Sequence, residues 1–420
     1  MIPATWYGSD SITDLQGVLP TNEGSVSSKA TAVALWRPIA AGFLVLMVAM
    51  GIGRFAYTPI LPSMERVARL SATAAGLIAT ANYAGYLLGA IAAARWPSRV
   101  HRLNATYGAL LISAGTTAAM GWVSGLAAWA VVRTIGGTVS ACAFVWISSI
   151  VLDWVAQEGR SDWAGFVYAG VGSGIAMTGV LTPALLLWDG WAGAWRALGA
   201  VALILGLLAW RILPTLPVSH RKQLDRTFGV DDDAIALWRL LVAYGLEGCG
   251  YIVMGTFDVS LLAHLPGLQR LGMWSWTFVG LAAAPSTWAW SILARRYGVR
   301  PTLLGAYGLQ AMGVVLPVLW PTAISAILSA LLFGGTFMGI TTVALSASRA
   351  SALSSSSAAV GIMTAVFGIG QVVGPGLAGW VAVISHGETI PFLGSGALLL
   401  IAVGVLARWR RPIQQVHPCA

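Results

Sequence analysis

The chain has 420 residues, 57% of them hydrophobic and only 9% charged, with a mean hydropathy of +0.77. A soluble domain carries about 25% charged residues, so this composition cannot cover a water-facing surface and the outside of the protein must face lipid. The net charge of +9 is spread over short segments rather than gathered on one face, which excludes a nucleic-acid binder. Three cysteines without metal spacing, Cys142, Cys249 and Cys419, exclude a disulfide framework and a zinc site.

Residues 1–35 are polar and lack the basic start and apolar core of a signal peptide, which predicts a disordered cytoplasmic N-terminal tail. From there on the chain is a series of apolar runs. A helix needs about 20 apolar residues to cross the hydrocarbon core. That window finds twelve spans: Pro38–Leu61, Ala72–Ala94, Leu103–Val123, Ala127–Leu152, Ala164–Leu187, Trp191–Ile212, Ala236–Leu262, Leu271–Leu293, Pro301–Trp320, Ala323–Ser346, Ala358–Ile384 and Pro391–Ala407. Runs this long and this uniformly apolar are helices rather than the short alternating strands of a membrane barrel.

Lys and Arg set the orientation, because cytoplasmic loops are enriched in them. With the N-terminus inside, 18 fall on the inner side and 4 (Arg66, Arg69, Arg196, Arg270) on the outer, while Arg54 and Arg133 lie within spans. Both termini are therefore expected in the cytoplasm, in a cytoplasmic (inner) membrane. The longest inner segment carries His220, Arg221, Lys222 and Asp231–Asp233, and separates six spans from six. The expected organisation is a tail at 1–35, a six-helix half at 36–213, a cytoplasmic linker at 214–235, a second six-helix half at 236–408 and a C-terminal tail at 409–420. A repeat supports the two halves. Ile135-Gly136-Gly137-Thr138 matches Phe333-Gly334-Gly335-Thr336, Gly170-Val171-Gly172 matches Gly368-Ile369-Gly370, and Arg102 matches Arg300, all at one separation of 198 residues.

Several segments together resemble the major facilitator superfamily, and within it the YbfB/YjiJ-type branch. The most specific is Gly51-Ile52-Gly53-Arg54-Phe55-Ala56-Tyr57-Thr58-Pro59-Ile60-Leu61-Pro62 in span one. Others are Glu247-Gly248-Cys249-Gly250-Tyr251 with Gly255-Thr256-Phe257, Phe333–Gly339, and Gly368–Pro375. Arg133-Thr134-Ile135-Gly136-Gly137 resembles the superfamily's span-four arginine motif, and Arg95–Arg102 resembles its loop after span two without the Asp. The resemblance implies an all-α integral membrane protein with the major facilitator fold of twelve transmembrane helices in two pseudo-symmetric halves. It further implies a secondary transporter working by alternating access, a functional monomer, and no particular substrate.

Ionisable groups within lipid are costly and point to function. Four lie in spans: Arg54, Arg133, Glu247 and Asp258. Counting the rise along each helix puts Arg54 and Arg133 at similar levels in the outer half, about 24 Å from the inner side and about 9 Å from the outer side, and Glu247 near the midplane. Two guanidinium groups facing one cavity would attract a small organic anion. A midplane Glu could bind and release a proton as access alternates, so protons are the expected coupling ion. The bland alternatives are that Arg54 braces a broken helix end, that Arg133 forms a structural ion pair with Asp258, and that Asp258 is solvated near the interface. Tyr57, Asn82, Tyr86, Tyr251 and Gln371 are further candidates for the cavity wall, although polar residues also bond helix to helix in membranes.

The chain has no Walker A motif, its five His residues are expected in loops or tails, and no nucleophile or metal set appears in the spans. No cofactor, metal or enzyme activity is therefore expected. The partners expected are the lipid bilayer, protons and a small-molecule substrate. Two other functions remain open: efflux of lipophilic or cationic compounds by proton antiport, and a ligand sensor on a transporter fold. Span five lacks the Gly-Pro pair associated with antiporters, and Gly374-Pro375 sits in span eleven instead.

Overall fold

The computed structural model describes residues 36–95, 99–159, 163–212, 236–350 and 356–408. The expected tails, and the linker with its Asp231–Asp233 run, lie outside the described residues. Among the described residues there is no strand. The helices are α1 (Trp36–Val67), α2 (Ala72–Arg95), α3 (Arg99–Ala119), α4 (Leu126–Gln157), α5 and α6 within the helical stretch Ala164–Ile212, α7 (Leu237–His264), α8 (Gln269–Tyr297), α9 (Val299–Leu319), α10 (Ala323–Ala350), α11 (Ser356–Ile384) and α12 (Thr389–Ala407).

No loop separates α5 (164–188) from α6 (191–212). The chain reverses at Asp189 (φ −149°, ψ 30°) and Gly190 (φ 61°, ψ −162°), and the second of these conformations suits glycine alone. Among the described residues nine helical stretches, counting Ala164–Ile212 once, are long and apolar enough to cross a membrane. Helices α3 and α8 are less apolar, since α3 opens with Arg99, His101, Arg102 and Asn104 and α8 closes with Arg295 and Arg296. Among the described residues the twelve helices named above alternate in direction. One face of the bundle carries both ends of the described chain and is here termed the terminal face; the opposite face is the distal face. Many helices run past the expected ends on the terminal face, α4 to Gln157 and α8 to Tyr297.

Exposed large apolar side chains cover the outside, among them Trp188, Leu187, Ile204 and Leu400. Association between helices in lipid depends on close backbone approach. A Cβ on Gly137 of α4 would strike the Asn82 carbonyl of α2, and one on Gly334 of α10 would strike the Val279 carbonyl of α8. Asn82 and Val279, like Gly137 and Gly334, stand 197 residues apart, the separation that also divides Arg54 from Tyr251. The packing repeat is therefore one residue shorter than the 198 read from the Gly-Gly pairs. The two halves meet along α2 with α11, α5 with α8, and α1 with α7. At the first of these seams Thr80 Oγ1 donates to the Val372 carbonyl (2.8 Å) and accepts from the Gly376 amide (3.1 Å).

Helix α1 is not a continuous α-helix. Its middle is a π-helix, Met47–Ile52, followed by a turn over 53–56 and an α-helical segment Tyr57–Val67. Gly53 N–H donates to Val48 O (2.8 Å) and Phe55 N–H to Met50 O (3.1 Å), each reaching back five residues. Pro59 and Pro62 lack the N–H groups that would bond the Phe55 and Thr58 carbonyls, so a regular ladder cannot continue through this stretch.

Candidate functional site

The break in α1 sits between the two halves and turns its side chains toward both. Arg54 is 2% exposed, and its guanidinium carbon lies 5.2 Å from the ring centre of Phe55, 4.7 Å from Tyr83 and 4.2 Å from Tyr86. Cation–π contacts of this kind are strongest when desolvated. Its Nη2 reaches the Tyr251 hydroxyl of α7 at 3.5 Å. The Gln371 amide of α11 donates to the same hydroxyl. Among the described residues no carboxylate pairs with Arg54, its Nε has no hydrogen-bond partner, and neither does Gln371 Oε1. Four of the expected residues, Arg54, Tyr86, Tyr251 and Gln371, thus converge from α1, α2, α7 and α11.

Tyr251 also anchors an aromatic wall. Its ring stacks on Phe367 (5.4 Å) and Phe337 (5.9 Å), Phe337 on Phe333 (5.5 Å), and Phe367 on Tyr244 (4.3 Å). Phe55 meets Phe337 and Trp276 at 6.3 and 6.2 Å. On the distal side the cluster is closed by Thr58, whose hydroxyl donates to Gly255 O at 2.5 Å across the two halves. On the terminal side Tyr86, Phe144, Tyr168, Thr341 and Phe367 keep partial exposure.

Three expected residues form a separate cluster inside the first half. Arg133 spends its fork of donors on the broken helix, giving Nη1–H to Gly53 O (2.9 Å) and Nη2–H to Arg54 O (2.8 Å). Its guanidinium packs over Tyr57 (5.3 Å) and Trp195 (5.8 Å), and Tyr57 donates to Ala75 O (3.0 Å). Asn82 donates to Arg133 O at 2.8 Å, tying α2 to α4 where Gly137 lets them touch. The two arginines are at one level, as expected, but Arg133 rather than Arg54 braces the break. The alternative of an ion pair between Arg133 and Asp258 is not realised. Asp258 is 1% exposed rather than solvated, and accepts from Ser275 Oγ at 2.8 Å.

Glu247 lies in α7, one turn toward the terminal face from Tyr251, and is fully buried. Its polar companions are the Gln310 amide of α9, also fully buried, and Tyr244, Tyr251 and Tyr307 around it. In strict geometry neither Glu247 oxygen and neither Gln310 side-chain atom closes a hydrogen bond. Gln310 and the phenylalanine wall were not foreseen. Gln310 is a lone amide in an apolar run, and nothing in sequence spacing links it to Glu247. A further distal group escaped for the same reason: Glu65 of α1, Ser260 and His264 of α7, and Glu388 at the start of α12. His264 is the last residue of a helix rather than part of a loop. Among the described residues no group of His, Cys, Asp and Glu is arranged to hold a metal ion.

Comparison with known proteins decides what kind of machine this is. The profile of the family described as "Uncharacterised MFS-type transporter YbfB" matches residues 46–407. The chain belongs to that family of the major facilitator superfamily. It is a multi-pass membrane transporter, not an enzyme. No curated protein sequence matches the chain. Among solved structures it is similar to the nucleoside transporter NupG (14% identity, TM-score 0.65, covering 89% of this chain and 100% of that one). It is also similar to a bacterial homolog of the human lysosomal transporter Spinster, inward-facing and unoccupied (15% identity, TM-score 0.68, covering 88% of this chain and 95% of that one). At these identities the likeness concerns the fold. The transporter of this chain has the major facilitator architecture with Arg54 at its centre.

Proposed function

We propose that this transporter moves a small organic anion across a cytoplasmic membrane by alternating access, coupled to protons. The terminal face is the cytoplasmic one on this reading, supported by the 18 Lys and Arg residues against 4. The observation that carries the proposal is Arg54: a guanidinium buried between the halves, stacked on rings, with no carboxylate of its own among the described residues. Burying an unpaired charge is costly unless a partner arrives. An anionic substrate supplies that partner, and Arg54 Nε and Gln371 Oε1 supply unsatisfied groups to meet it. Arg133 takes no part in substrate contact on this reading. It holds the helix break that presents Arg54.

Glu247 is the proton carrier. A carboxyl group sealed beside a neutral amide and tyrosines, with no cation paired to it among the described residues, is accommodated there more readily uncharged and can exchange its proton when water enters. Movement of α7 against α9 and α11 makes that exchange accompany the rocking of the halves. The transporter acts as a monomer, since the site is completed within one chain.

The test is electrical. Purified protein in liposomes is challenged with a panel of small organic acids and with lipophilic cations under a pH gradient. An acid that evokes a proton-coupled current, abolished by Glu247→Gln and weakened by Arg54→Gln, supports the reading. Silence for every acid with currents for the cations would overturn it in favour of cation efflux.

A further inference from the structure

On the distal face, three turns from Arg54 along α1, two carboxyl groups from different halves meet at one serine hydroxyl, with a histidine behind one of them. Ser260 Oγ of α7 lies 2.5 Å from Glu65 Oε2 of α1 and 3.3 Å from Glu388 Oε1, beside the first turn of α12. Glu388 Oε1 in turn lies 3.2 Å from His264 Nδ1. Glu65 belongs to the first half of the molecule and the other three to the second, so the group spans the seam that must part if the distal face opens.

Counting protons identifies the state of this group. A serine hydroxyl has one hydrogen to donate. With both carboxyl groups ionised it could satisfy only one of them, and two anionic oxygens would flank a single oxygen. One added proton removes the conflict. Glu65 then donates to Ser260 Oγ, Ser260 donates to Glu388, and Glu388 accepts from His264, so that every donor finds an acceptor. Glu388 is the member that remains ionised. Burial alone would raise its proton affinity, but the His264 hydrogen bond and charge, its own backbone amide and Ser260 outweigh that and hold it below the ordinary carboxylate value. The titratable groups that bear on Glu65 are His264 and Glu388 from the opposite half, with Tyr57 on its own helix; the other elements packed on the segment Tyr57–Val67 are α2, the stretch Ala164–Ile212 and α8, and among the described residues none of their charged groups bears on it.

We propose that Glu65 is a proton-binding site of this transporter, and that the proton it shares with Ser260 latches the distal ends of the two halves together. Losing that proton leaves Glu65 and Glu388 repelling each other across Ser260, and the distal seam opens. The sign follows: the latch is shut below the pH at which Glu65 ionises and open above it. The proposal rests on the rocking of the halves, but not on the anion or on Glu247 as carrier.

The experiment needs no substrate. Val67→Cys and Gln269→Cys, in the full chain with Cys142, Cys249 and Cys419 changed to Ser, carry spin labels on the distal ends of α1 and α8. Their separation is read by pulsed electron resonance on either side of the range between carboxylate and neutral values, at about pH 5 and about pH 8. Wild-type Glu65 should give a shift to longer distances at the higher pH. Glu65→Gln, whose amide donates to Ser260 at every pH, should stay at the short distance throughout. Ser260→Ala, which leaves the carboxyl groups facing each other without a bridge, should lengthen the distance already at the lower pH. No pH response with Glu65 present, or an unchanged response in Glu65→Gln and Ser260→Ala, overturns the latch. A pH-driven opening that survives Glu247→Gln keeps the latch even where the proton-carrier reading fails.

Discussion

Arg54 and Tyr251 occupy equivalent places in the two halves, 197 residues apart, and touch each other between them, guanidinium to hydroxyl at 3.5 Å. The same separation links Thr58 to Gly255, whose hydrogen bond lies one turn nearer the distal face. The fold's internal symmetry thus brings a cation and a phenol to one point, and Gln371 joins them there. Removing the hydroxyl in Tyr251→Phe keeps the aromatic wall but leaves Arg54 Nη2 and the Gln371 amide without their acceptor. An unsatisfied buried donor costs about 1–3 kcal/mol. The expected outcome is a lower melting temperature in detergent together with transport weakened at low substrate concentration, read by calorimetry and by uptake into liposomes.

The two arginines should separate cleanly in a stability assay. Arg133→Gln uncovers the Gly53 and Arg54 carbonyls, which it now satisfies with two charged hydrogen bonds. At about 1.5–3 kcal/mol for a hydrogen bond to a charged group, the variant should be markedly less stable. Arg54→Gln removes a guanidinium with no counter-charge among the described residues, so its stability should fall less or rise while transport is weakened. Melting curves of both variants, beside uptake, distinguish bracing from binding. An Arg54→Gln that melts as low as Arg133→Gln would contradict the assignment.

Glu247→Gln tests the carrier from the side of stability as well as function. The amide is isosteric and cannot ionise, and it can bond Gln310 head to tail. The variant should melt at least as high as the parent at neutral pH, and substrate exchange without a pH gradient should persist while gradient-driven accumulation is lost.

Helix seams make a third kind of prediction. Gly85→Ala or Gly137→Ala puts a methyl group into the backbone of the facing helix, whereas Gly108→Ala or Gly404→Ala meets nothing within 4 Å. The first pair should reduce folded yield in membranes and the second pair should not, as gel filtration of the solubilised protein would show.

Twelve apolar runs, their rough ends and the two-half repeat were legible because lipid imposes length and composition on each span. Arg54, Tyr86, Tyr251 and Gln371 each stood out singly, as a polar intruder in an apolar helix. What could not be read was which intruder faces which. Arg133 and Arg54 look alike in sequence, and only the π-helical break between Met47 and Phe55 shows that one serves backbone carbonyls. The repeat was misjudged by one residue because Gly136-Gly137 and Gly334-Gly335 each offer two glycines, and packing uses Gly137 in one half but Gly334 in the other. Gln310 and Glu388 went unnoticed because their partners are distant in the chain.

The break in α1 has a mechanical consequence. Arg54 lies on the break and Glu65 on the segment beyond it, while Arg133 of α4 grips the break itself. Helix 1 is therefore two levers on one pivot, and the pivot is clamped to the first half. A tilt of the outer lever that frees Glu65 from Ser260 must be accommodated at the residues that aim Arg54. Substrate charge and distal closure would then be felt through one broken helix, with no need for a signal to cross the rest of the bundle.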